Sequence, residues 1–401
     1  MKICIYKENY HKGGLDSFVI NLINSWPNSD DKFTLVVNSN HPGLEEIESR
    51  VKQNINIITY RSYYFELLSA LNKFTARKFL LSFSRIIYNV FQYPLILPCK
   101  LIHLIYFFYF FESDRLLVVN GGYPASLNCR LATIAWFIAG KKTKAILNFH
   151  SEAQKSALHN TLFDNILDFF VYTTTKNFIG VSRFCIKSLE KRFIFKFAPK
   201  GKLYYIYNGI EDLNFAFQTK HKSRSKYCLM LATYSLYKGH EYLFQAFKHV
   251  IKKHPDYILR IYGYGSSTEI GRVKRILRES GISKNVELHP FTKNVAPLIK
   301  GAAVLLLPSQ SFEGFGLTII EAMCLGTPVV ATNVGGIPEV IGNSGAGIIC
   351  PHDSPKIFAE AISYLIKNPK ISLAMANSGR ICYSKKFNST IMSYSYWKIL
   401  R

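Results

Sequence analysis

The sequence predicts an α/β protein with two Rossmann-like, doubly wound domains that face a cleft. Short apolar strands alternate with segments whose apolar residues recur at helical spacing, a pattern typical of parallel sheets covered by helices. The alternation begins twice, once at the first residues and again after the polar, basic stretch 217–226. A length of 401 residues also suits two domains, whose ligands lie beyond the carboxyl ends of the strands.

The first domain is predicted to span residues 1–212. It opens with a strand at 3–6, and a helix follows Gly13 and Gly14. The apolar positions of this helix form a stripe made of Leu15, Phe18, Val19, Leu22, Ile23 and Trp26. Further strands are expected at 33–37, 55–60, 116–120, 145–149 and 178–181, and helices at 125–139 and 183–193.

The second domain is predicted at 227–385, after a linker at 213–226. Its first strand is followed by a helix at 241–252. Its strands are expected at 228–233, 258–262, 304–307, 328–332 and 347–350. Residues 386–401 contain a final helix that we expect to pack back toward the first domain. Two similar domains joined by a short linker imply a cleft between them, which is a usual place for a ligand.

The charge of the chain is strongly positive. Fifty Lys and Arg residues against 26 Asp and Glu residues give +24, which suits nucleic acid, an anionic membrane surface or an anionic small substrate. A generally lysine-rich composition also explains the charge, and no nucleic-acid-binding motif is recognisable. The eight cysteines are dispersed without a Cys-x-x-Cys pair, which predicts neither disulfides nor a zinc site and indicates the cytoplasm. The first residues resemble a strand rather than a secretory signal.

An aromatic, basic insertion is predicted at about 61–111, and its part from 86 onward is apolar enough to suggest a membrane. Prolines and charged residues interrupt it, so no clean run of roughly 20 apolar residues remains to span a bilayer. One interpretation places it in the bilayer interface, with basic residues toward anionic lipid, namely Lys73, Arg77, Lys78, Arg85 and Lys100. The other interpretation is that its helices pack within the first domain. The sequence leaves both open.

The most informative element surrounds Glu313 and Glu321, where the chain reads SQSFEGFGLTIIE. An apolar strand precedes it and helical apolar spacing follows it. The glycine-rich turn therefore opens a helix whose N–H groups at Gly316, Leu317 and Thr318 point toward an anion. The flanking carboxylates suit hydroxyl groups rather than phosphate. A ligand that carries both groups is a nucleotide sugar.

Four short motifs follow one another on the expected elements of the second half. They are Tyr207-Asn208-Gly209-Ile210, Lys238-Gly239-His240, the Glu313-x7-Glu321 element and Gly335-Gly336-Ile337-Pro338-Glu339. Together they resemble the group 1 family of retaining, nucleotide-sugar-dependent glycosyltransferases, whose GT-B architecture has two Rossmann-like domains. The resemblance is strongest over about 202–350. The first domain matches more loosely, through Gly13-Gly14, His150 and Val181-Ser182, and residues 61–111 match nothing in the family.

The resemblance implies a role for each motif residue of the second domain. Glu321 binds the ribose hydroxyls, and Glu313 binds hydroxyls of the donor sugar near the reacting carbon. Lys238 neutralises the departing diphosphate, so that neither a metal nor another cofactor is expected. Backbone N–H groups hold sugar and diphosphate oxygens, and they belong to Phe315, Gly316, Leu317 and Thr318.

In the first domain, the resemblance implies that Gly13 and Gly14 let the backbone approach donor and acceptor closely. It also implies that His150 touches the donor sugar. One departure concerns charge: many relatives carry an arginine five residues before the lysine, where this chain has Thr233. A subset places a basic residue directly before the lysine, where this chain has Tyr237. We therefore expect one cationic contact fewer to the diphosphate, unless Arg183 or another base of the first domain compensates.

The implied protein is a metal-independent, hexosyltransferase-like enzyme that moves a sugar from a nucleoside diphosphate to a hydroxyl acceptor with retention of configuration. UDP-sugar is preferred to GDP-sugar as donor. The basic aromatic segment adds the expectation of a lipid-linked glycan acceptor in surface polysaccharide synthesis, and of a cytoplasmic protein peripheral to the inner face of the membrane. The alternative is a catalytically silent relative that acts as a membrane partner or sugar-binding subunit. A third interpretation is a phosphorylase or epimerase of the same fold, but a phosphorylase needs a lysine-bound pyridoxal cofactor, for which the sequence has no signature. A nucleic-acid protein rests on charge alone.

Overall fold

The computed structural model describes residues 1–10, 13–61, 96–156, 161–213 and 225–401. The chain divides into two compact units, one formed by Met1–Ile206 with Ser393–Arg401 and the other by Tyr207–Met392. Most of the predicted linker and of the predicted insertion lies outside the described residues. So do four of the five basic residues that were predicted to face lipid, namely Lys73, Arg77, Lys78 and Arg85.

Within the described ranges, the first unit contains a sheet of seven parallel strands in the order β3-β2-β1-β4-β5-β6-β7. The strands are β1 Lys2–Lys7, β2 Lys32–Asn38, β3 Asn56–Tyr60, β4 Arg115–Asn120, β5 Ala145–Phe149, β6 Thr175–Gly180 and β7 Leu203–Tyr205. Four consecutive residues of β4, from Leu116 to Val119, are at most 1% exposed, because helices cover both faces of a parallel sheet. The strand order reverses between β1 and β4, and their carboxyl ends open a crevice there.

Helices fill the connections of this sheet. In the described ranges they are α1 Gly14–Asn24, α2 Leu44–Arg50, α3 Leu97–Phe110, α4 Leu127–Ile138, α5 Thr161–Thr174 and α6 Arg183–Ser188. The predicted stripe of α1 is buried at Phe18 and Leu22, whereas Leu15 is only half-buried and Asp16 is buried in its place. α4 begins at Ser126, whose side chain accepts a hydrogen bond from the Cys129 N–H.

The helix predicted at 183–193 is shorter than expected. α6 ends at Ser188, and short 3₁₀ turns follow it. Between these turns Arg192 has an extended backbone, with φ −108° and ψ 131°, and its buried Nε lies 2.6 Å from Asp168 Oδ2. This tertiary ion pair interrupts a segment whose apolar spacing alone predicts a continuous helix.

The second unit contains a parallel sheet of six strands in the order β10-β9-β8-β11-β12-β13, counted over its described residues. The strands are β8 Tyr227–Leu231, β9 Ile258–Gly263, β10 Val286–Pro290, β11 Val304–Leu307, β12 Val329–Thr332 and β13 Gly347–Cys350. The helices are α7 His240–Lys253, α8 Ser267–Ser280, α9 Ala296–Gly301, α10 Leu317–Leu325, α11 Ile337–Ile341, α12 Pro355–Lys367, α13 Pro369–Cys382 and α14 Ser389–Leu400. Residues of α14 from Ser393 onward belong to the first unit. The predicted α/β class is confirmed.

Helix α3 is the described part of the predicted aromatic segment. It buries Leu104 and Phe108 within the first unit and exposes Ile102, Tyr106, Tyr109 and Phe110. The helix therefore packs one apolar face and presents a second one outward. Among the residues that the structure describes, no helix is both long and apolar enough to cross a membrane.

Candidate active site

The start of α10 has the predicted geometry of an anion site. The chain leaves β11 through Pro308 and reaches Gly316, which has φ +94° and caps the helix. This left-handed conformation favours glycine, whereas the nearest atom to an added Cβ, Ile319 Cδ1 at 2.9 Å, is the end of a side chain that can shift. The first N–H groups of a helix lack intrahelical acceptors, and here they belong to Leu317 and Thr318. Both residues are half-buried, whereas the Phe315 side chain is 3% exposed and anchors the turn.

Lys238 and Glu313 meet beside this helix start. Lys238 Nζ lies 2.6 Å from Glu313 Oε2, and Ser309 Oγ donates to the same oxygen at 3.3 Å. The two charged side chains are 18% and 14% exposed. Burial alone lowers the pKa of Lys238, but the charge and hydrogen bond of Glu313 outweigh it, and the net pKa is raised. Lys238 is therefore an ammonium ion throughout the neutral range.

Glycines bring the loops of this site together. A Cβ on Gly239, which has φ +76°, would overlap the Pro308 carbonyl oxygen. A Cβ on Gly335, which has φ +60°, would overlap the backbone oxygen of Glu313. The Gly336 N–H donates to that same Glu313 oxygen at 2.8 Å. The motif glycines are thus explained by backbone contacts that fix where Lys238 and Glu313 lie.

The two positions where relatives carry an additional basic residue hold neutral side chains that contact their neighbours. Thr233 Oγ1 donates to Ser235 Oγ at 3.2 Å. The Tyr237 ring stacks on Phe312, with ring centroids 4.3 Å apart and planes inclined by 28°. Lys238 Nζ lies 5.3 Å from the Tyr237 centroid, so the aromatic pair flanks the ion pair.

Arg272 is a cation of this region that the sequence analysis missed. From α8 it donates a 2.6 Å hydrogen bond to the carbonyl of Tyr234, the residue after Thr233. The pKa of His240, 1% exposed, is lowered to about 4, first by burial and then by the charges of Arg272 and Lys238. Both cations therefore lie close to one imidazole. No sequence signal separated Arg272 from other helix-surface arginines.

Further motif residues of the second unit are Tyr207, Gly209, Glu321 and Glu339. Tyr207 packs its ring 5.9 Å from that of Phe315, and its hydroxyl lies 3.4 Å from Glu339 Oε2. A Cβ on Gly209 would lie 2.5 Å from the Asn388 carbonyl oxygen, so this glycine is required by packing. Glu321 is half-buried on α10, about one turn after the first helical residue, Leu317.

In the first unit, Gly13 and Gly14 lead into α1, and a buried ion cluster fixes the first turn of that helix. The Lys7 ammonium contacts Asp16, and His41 Nε2 lies 3.0 Å from the same carboxylate. Burial lowers the pKa of Lys7 despite Asp16. Burial by itself raises the pKa of Asp16, but His41 and Lys7 outweigh it and the net pKa is lowered. A Cβ on Gly13 would meet no described atom within 4 Å.

His150 ends β5, and its imidazole is held from within the first unit. Its Nε2 lies 2.7 Å from Asn148 Oδ1, and Asn148 Nδ2 donates to the Tyr396 hydroxyl at 2.7 Å. The Phe18 ring packs edge-on, 4.5 Å away. Burial lowers the pKa of His150 to about 3, so the ring is neutral at neutral pH. Because Asn148 Oδ1 only accepts, Nε2 carries the proton and Nδ1 is an acceptor.

Within the described ranges, no group of three or more His, Cys, Asp and Glu side chains converges as a metal site would.

Residues 212–381, which include Lys238, Glu313 and Glu321, match the sequence model of a family described as Glycosyl transferases group 1. The matched residues make up most of the second unit, which is therefore similar in sequence to group 1 glycosyl transferases. The first unit lies outside the matched region.

Known proteins resemble the chain in sequence and in fold. An uncharacterized glycosyltransferase of Haemophilus influenzae is 30% identical over 161 residues, which are 40% of this chain and 45% of that protein. The chain spans about half the length of the curated relatives that it matches.

Two solved structures align with the whole chain. A glycosyltransferase from Rickettsia africae has a TM-score of 0.76 at 17% identity and is covered over 97% of its length. Anabaena HepE in complex with UDP-glucose has a TM-score of 0.72 at 17% identity and is covered over 99%. These likenesses show the fold, and they confirm the predicted GT-B class with two Rossmann-like domains.

Proposed function

We propose that the protein is a retaining, hexosyltransferase-like enzyme that moves a sugar from a UDP-sugar to a hydroxyl group of a lipid-linked glycan. GDP-sugar is the alternative donor. The observation that carries the proposal is the contact of Lys238 with Glu313 beside the start of α10, within the region that matches the group 1 family.

The contact suits the covalent structure of the donor. In a nucleotide sugar the β-phosphate is bonded to the anomeric carbon, so a cation for phosphate and a carboxylate for sugar hydroxyls must be neighbours. Lys238 and Glu313 are neighbours at 2.6 Å, and they compensate each other until a donor arrives. When a donor binds, Lys238 donates hydrogen bonds to phosphate oxygens, and Glu313 accepts hydrogen bonds from sugar hydroxyls.

The other groups complete this assignment. The N–H groups from Phe315 to Thr318 bind sugar and diphosphate oxygens, and Glu321 binds the ribose hydroxyls. In the first domain, Nδ1 of neutral His150 accepts a hydrogen bond from a hydroxyl group of the donor sugar. Gly13 and Gly14 leave room for donor and acceptor.

Arg272 supplies the second positive charge of the diphosphate site, in place of the arginine that the family resemblance predicts at the position of Thr233. Its support is the hydrogen bond to the Tyr234 carbonyl and the closeness of Arg272 and Lys238 to His240. The bond from the sugar to the β-phosphate breaks while the acceptor oxygen attacks the same face. The leaving phosphate takes the acceptor proton, and catalysis comes from positioning and from stabilised diphosphate charge. This scheme uses no metal ion and no cofactor.

UDP is favoured because the structurally similar HepE was solved with UDP-glucose. The lipid-linked acceptor, the role in surface polysaccharide synthesis and a place at the cytoplasmic face of the membrane rest on the exposed apolar face of α3 and on the net charge of +24. A second candidate is the catalytically silent membrane partner or sugar-binding subunit. The neutral side chains of Thr233 and Tyr237 favour it.

A thermal-shift screen with nucleoside diphosphates and their sugars, followed by a transfer assay, tests the proposal. A ligand of the native state raises the melting temperature, by an amount that grows with its concentration relative to Kd. We expect UDP and one UDP-sugar to raise it, and donor turnover to be lost in Glu313→Ala and Lys238→Ala. Binding of UDP without hydrolysis or transfer by the wild type would favour the silent relative. No response to any nucleotide would reject both.

A further inference from the structure

Helix α5 buries two aspartates and exposes a stripe of apolar side chains. Asp164 and Asp168 are 6% and 0% exposed, in positions where a surface helix ordinarily buries apolar residues. The opposite stripe is between 48% and 69% exposed and consists of Leu162, Phe163, Ile166, Phe169 and Phe170. The buried side also contains Leu167 and Val171, which are 5% and 0% exposed, so the helix has apolar side chains on both sides.

Ion pairs hold α5 in this orientation. Arg130 Nη1 lies 3.3 Å from Asp164 Oδ1, and Arg192 Nε lies 2.6 Å from Asp168 Oδ2. The Tyr123 hydroxyl donates to Asp168 Oδ1 at 2.8 Å. Burying such pairs carries a desolvation cost that apolar packing would avoid. Leu167 and Val171 are buried on the same side as these pairs, and the aromatic stripe lies on the exposed side of the helix.

Helix α3 presents a similar stripe on the same side of the sheet. Its exposed residues Ile102, Tyr106 and Tyr109 are each about two-thirds exposed, at 66–67%. α3 and α5 both pack against α4, and the three helices lead into the neighbouring strands β4, β5 and β6. Right-handed crossovers in one direction place such helices on one face of the sheet. We call the exposed stripes of α3 and α5 the aromatic face.

A basic turn joins the ends of the two stripes. Lys141, Lys142 and Lys144 follow α4. Lys141 Nζ donates to the carbonyl of Phe111, just after α3, at 2.6 Å, and Lys144 Nζ donates to the carbonyl of Thr173, within α5, at 2.8 Å. The edge of the aromatic face is therefore positive.

Acidic residues are nearly absent from this surface. In α3, α4 and α5 the acidic residues are Asp164 and Asp168, and both are buried. The neighbouring Glu112 is exposed and pairs with Lys2 at 2.6 Å. Asp114 is exposed as well and accepts a hydrogen bond from the Lys2 N–H. The exposed stripes themselves contain no acidic residue, and the three lysines of the basic turn outnumber these two carboxylates.

We propose that the aromatic face docks on the surface of a bilayer that contains anionic lipid. Its Phe, Tyr, Leu and Ile side chains enter the interface, and Lys141, Lys142 and Lys144 contact lipid phosphates. A second copy of this chain fits less well, because a two-fold contact would bring two positive edges together. The docking goes beyond the proposed transfer reaction and does not depend on it.

Vesicle co-sedimentation of the full-length protein tests the docking. The probes are vesicles of phosphatidylcholine alone and of phosphatidylcholine with phosphatidylglycerol. We expect binding to the anionic vesicles. The Leu162→Ser/Ile166→Ser variant should lower the partition coefficient by at least about tenfold, because it removes two aliphatic side chains that would enter the bilayer. The matched control is Leu373→Ser/Ile381→Ser, which removes similarly exposed residues from α13 and should bind as the wild type does.

Charge reversal tests the basic turn. Lys142→Glu/Lys144→Glu should remove the preference for anionic vesicles, whereas Lys252→Glu/Lys253→Glu, with the same change in net charge on α7, should keep it. A UDP thermal shift on each variant confirms folding and reports the donor site separately. Absence of wild-type binding, or equal losses in test and control variants, would overturn the proposal. So would concentration-dependent self-association that Leu162→Ser/Ile166→Ser abolishes while vesicle binding is absent, since the face would then bind a second copy.

Discussion

Lys238 Nζ lies 2.6 Å from Glu313 Oε2, across 75 positions of sequence. Backbone contacts of Gly239 and Gly335 fix the loops from which the two side chains extend. In the proposed reaction, Glu313 holds the ammonium in place, so the cation needs little reorganisation when the diphosphate develops charge.

Removing the charge of Lys238 should impair transfer far more than folding. In Lys238→Met the side chain keeps its length but no longer stabilises the leaving diphosphate, and kcat/KM should fall by about 10²–10³-fold. Initial rates with the donor found by the thermal-shift screen measure this. Lys226→Met, which breaks a surface ion pair with Asp256 in the same unit, is the control and should transfer at the wild-type rate. Equal rates in both variants would remove Lys238 from the site.

Arg272→Met should weaken UDP binding. A lost charge-assisted hydrogen bond to phosphate is worth about 1.5–3 kcal/mol, so Kd should rise about tenfold or more. Titration calorimetry with UDP measures the change. Arg275→Met, on the exposed side of the same helix, should leave Kd unchanged. If both variants bind UDP as the wild type does, Arg272 has a structural role only.

His150 should make the first unit less stable in acid. Its pKa is about 3 in the folded protein against an ordinary 6.5, so between these values the unfolded chain binds a proton that the folded one does not. Stability is therefore lost as the pH falls from about 6.5, by about 2 kcal/mol at pH 5. Urea unfolding at neutral pH and at pH 5 should show a smaller loss of stability in acid for His150→Gln than for the wild type. The exposed control His352→Gln should retain the full wild-type effect, and an unchanged effect in His150→Gln would contradict the assignment.

Gly335→Ala should destabilise the second unit. The new Cβ would overlap the Glu313 carbonyl oxygen, and the left-handed backbone costs a non-glycine residue about 1–2 kcal/mol before any clash. Thermal unfolding of the variant should begin at a lower temperature, with a weaker response to UDP. Gly271→Ala offers a contrast within α8, where nothing lies near the new Cβ, and it should raise stability by about 0.5–1 kcal/mol. Similar melting temperatures for the two variants would show that the turn at Gly335 can shift without loss.

Local patterns were sufficient for most elements of the fold. Apolar runs such as 304–307 and the stripe of α1 predicted their strand and helix nearly to the residue. Strands β7 and β10 were missed, and β7 has only three residues. The missed helices are α2, α5, α9, α11, α12 and α13. The order and spacing of the motifs likewise predicted Lys238, Glu313 and the turn at Gly316 as one site. Their roles in binding the donor remain predictions.

The sequence by itself determined the two-domain α/β class and the group 1 motifs, since both depend on periodicity and short spacing. Tertiary structure decided which groups meet. It placed Arg272 from α8 beside Tyr234, tied His150 to Asn148 and Tyr396, and turned the aspartates of α5 toward buried arginines. Such contacts join residues from separate elements, and their energies depend on burial and on charged partners. No local pattern contains that information.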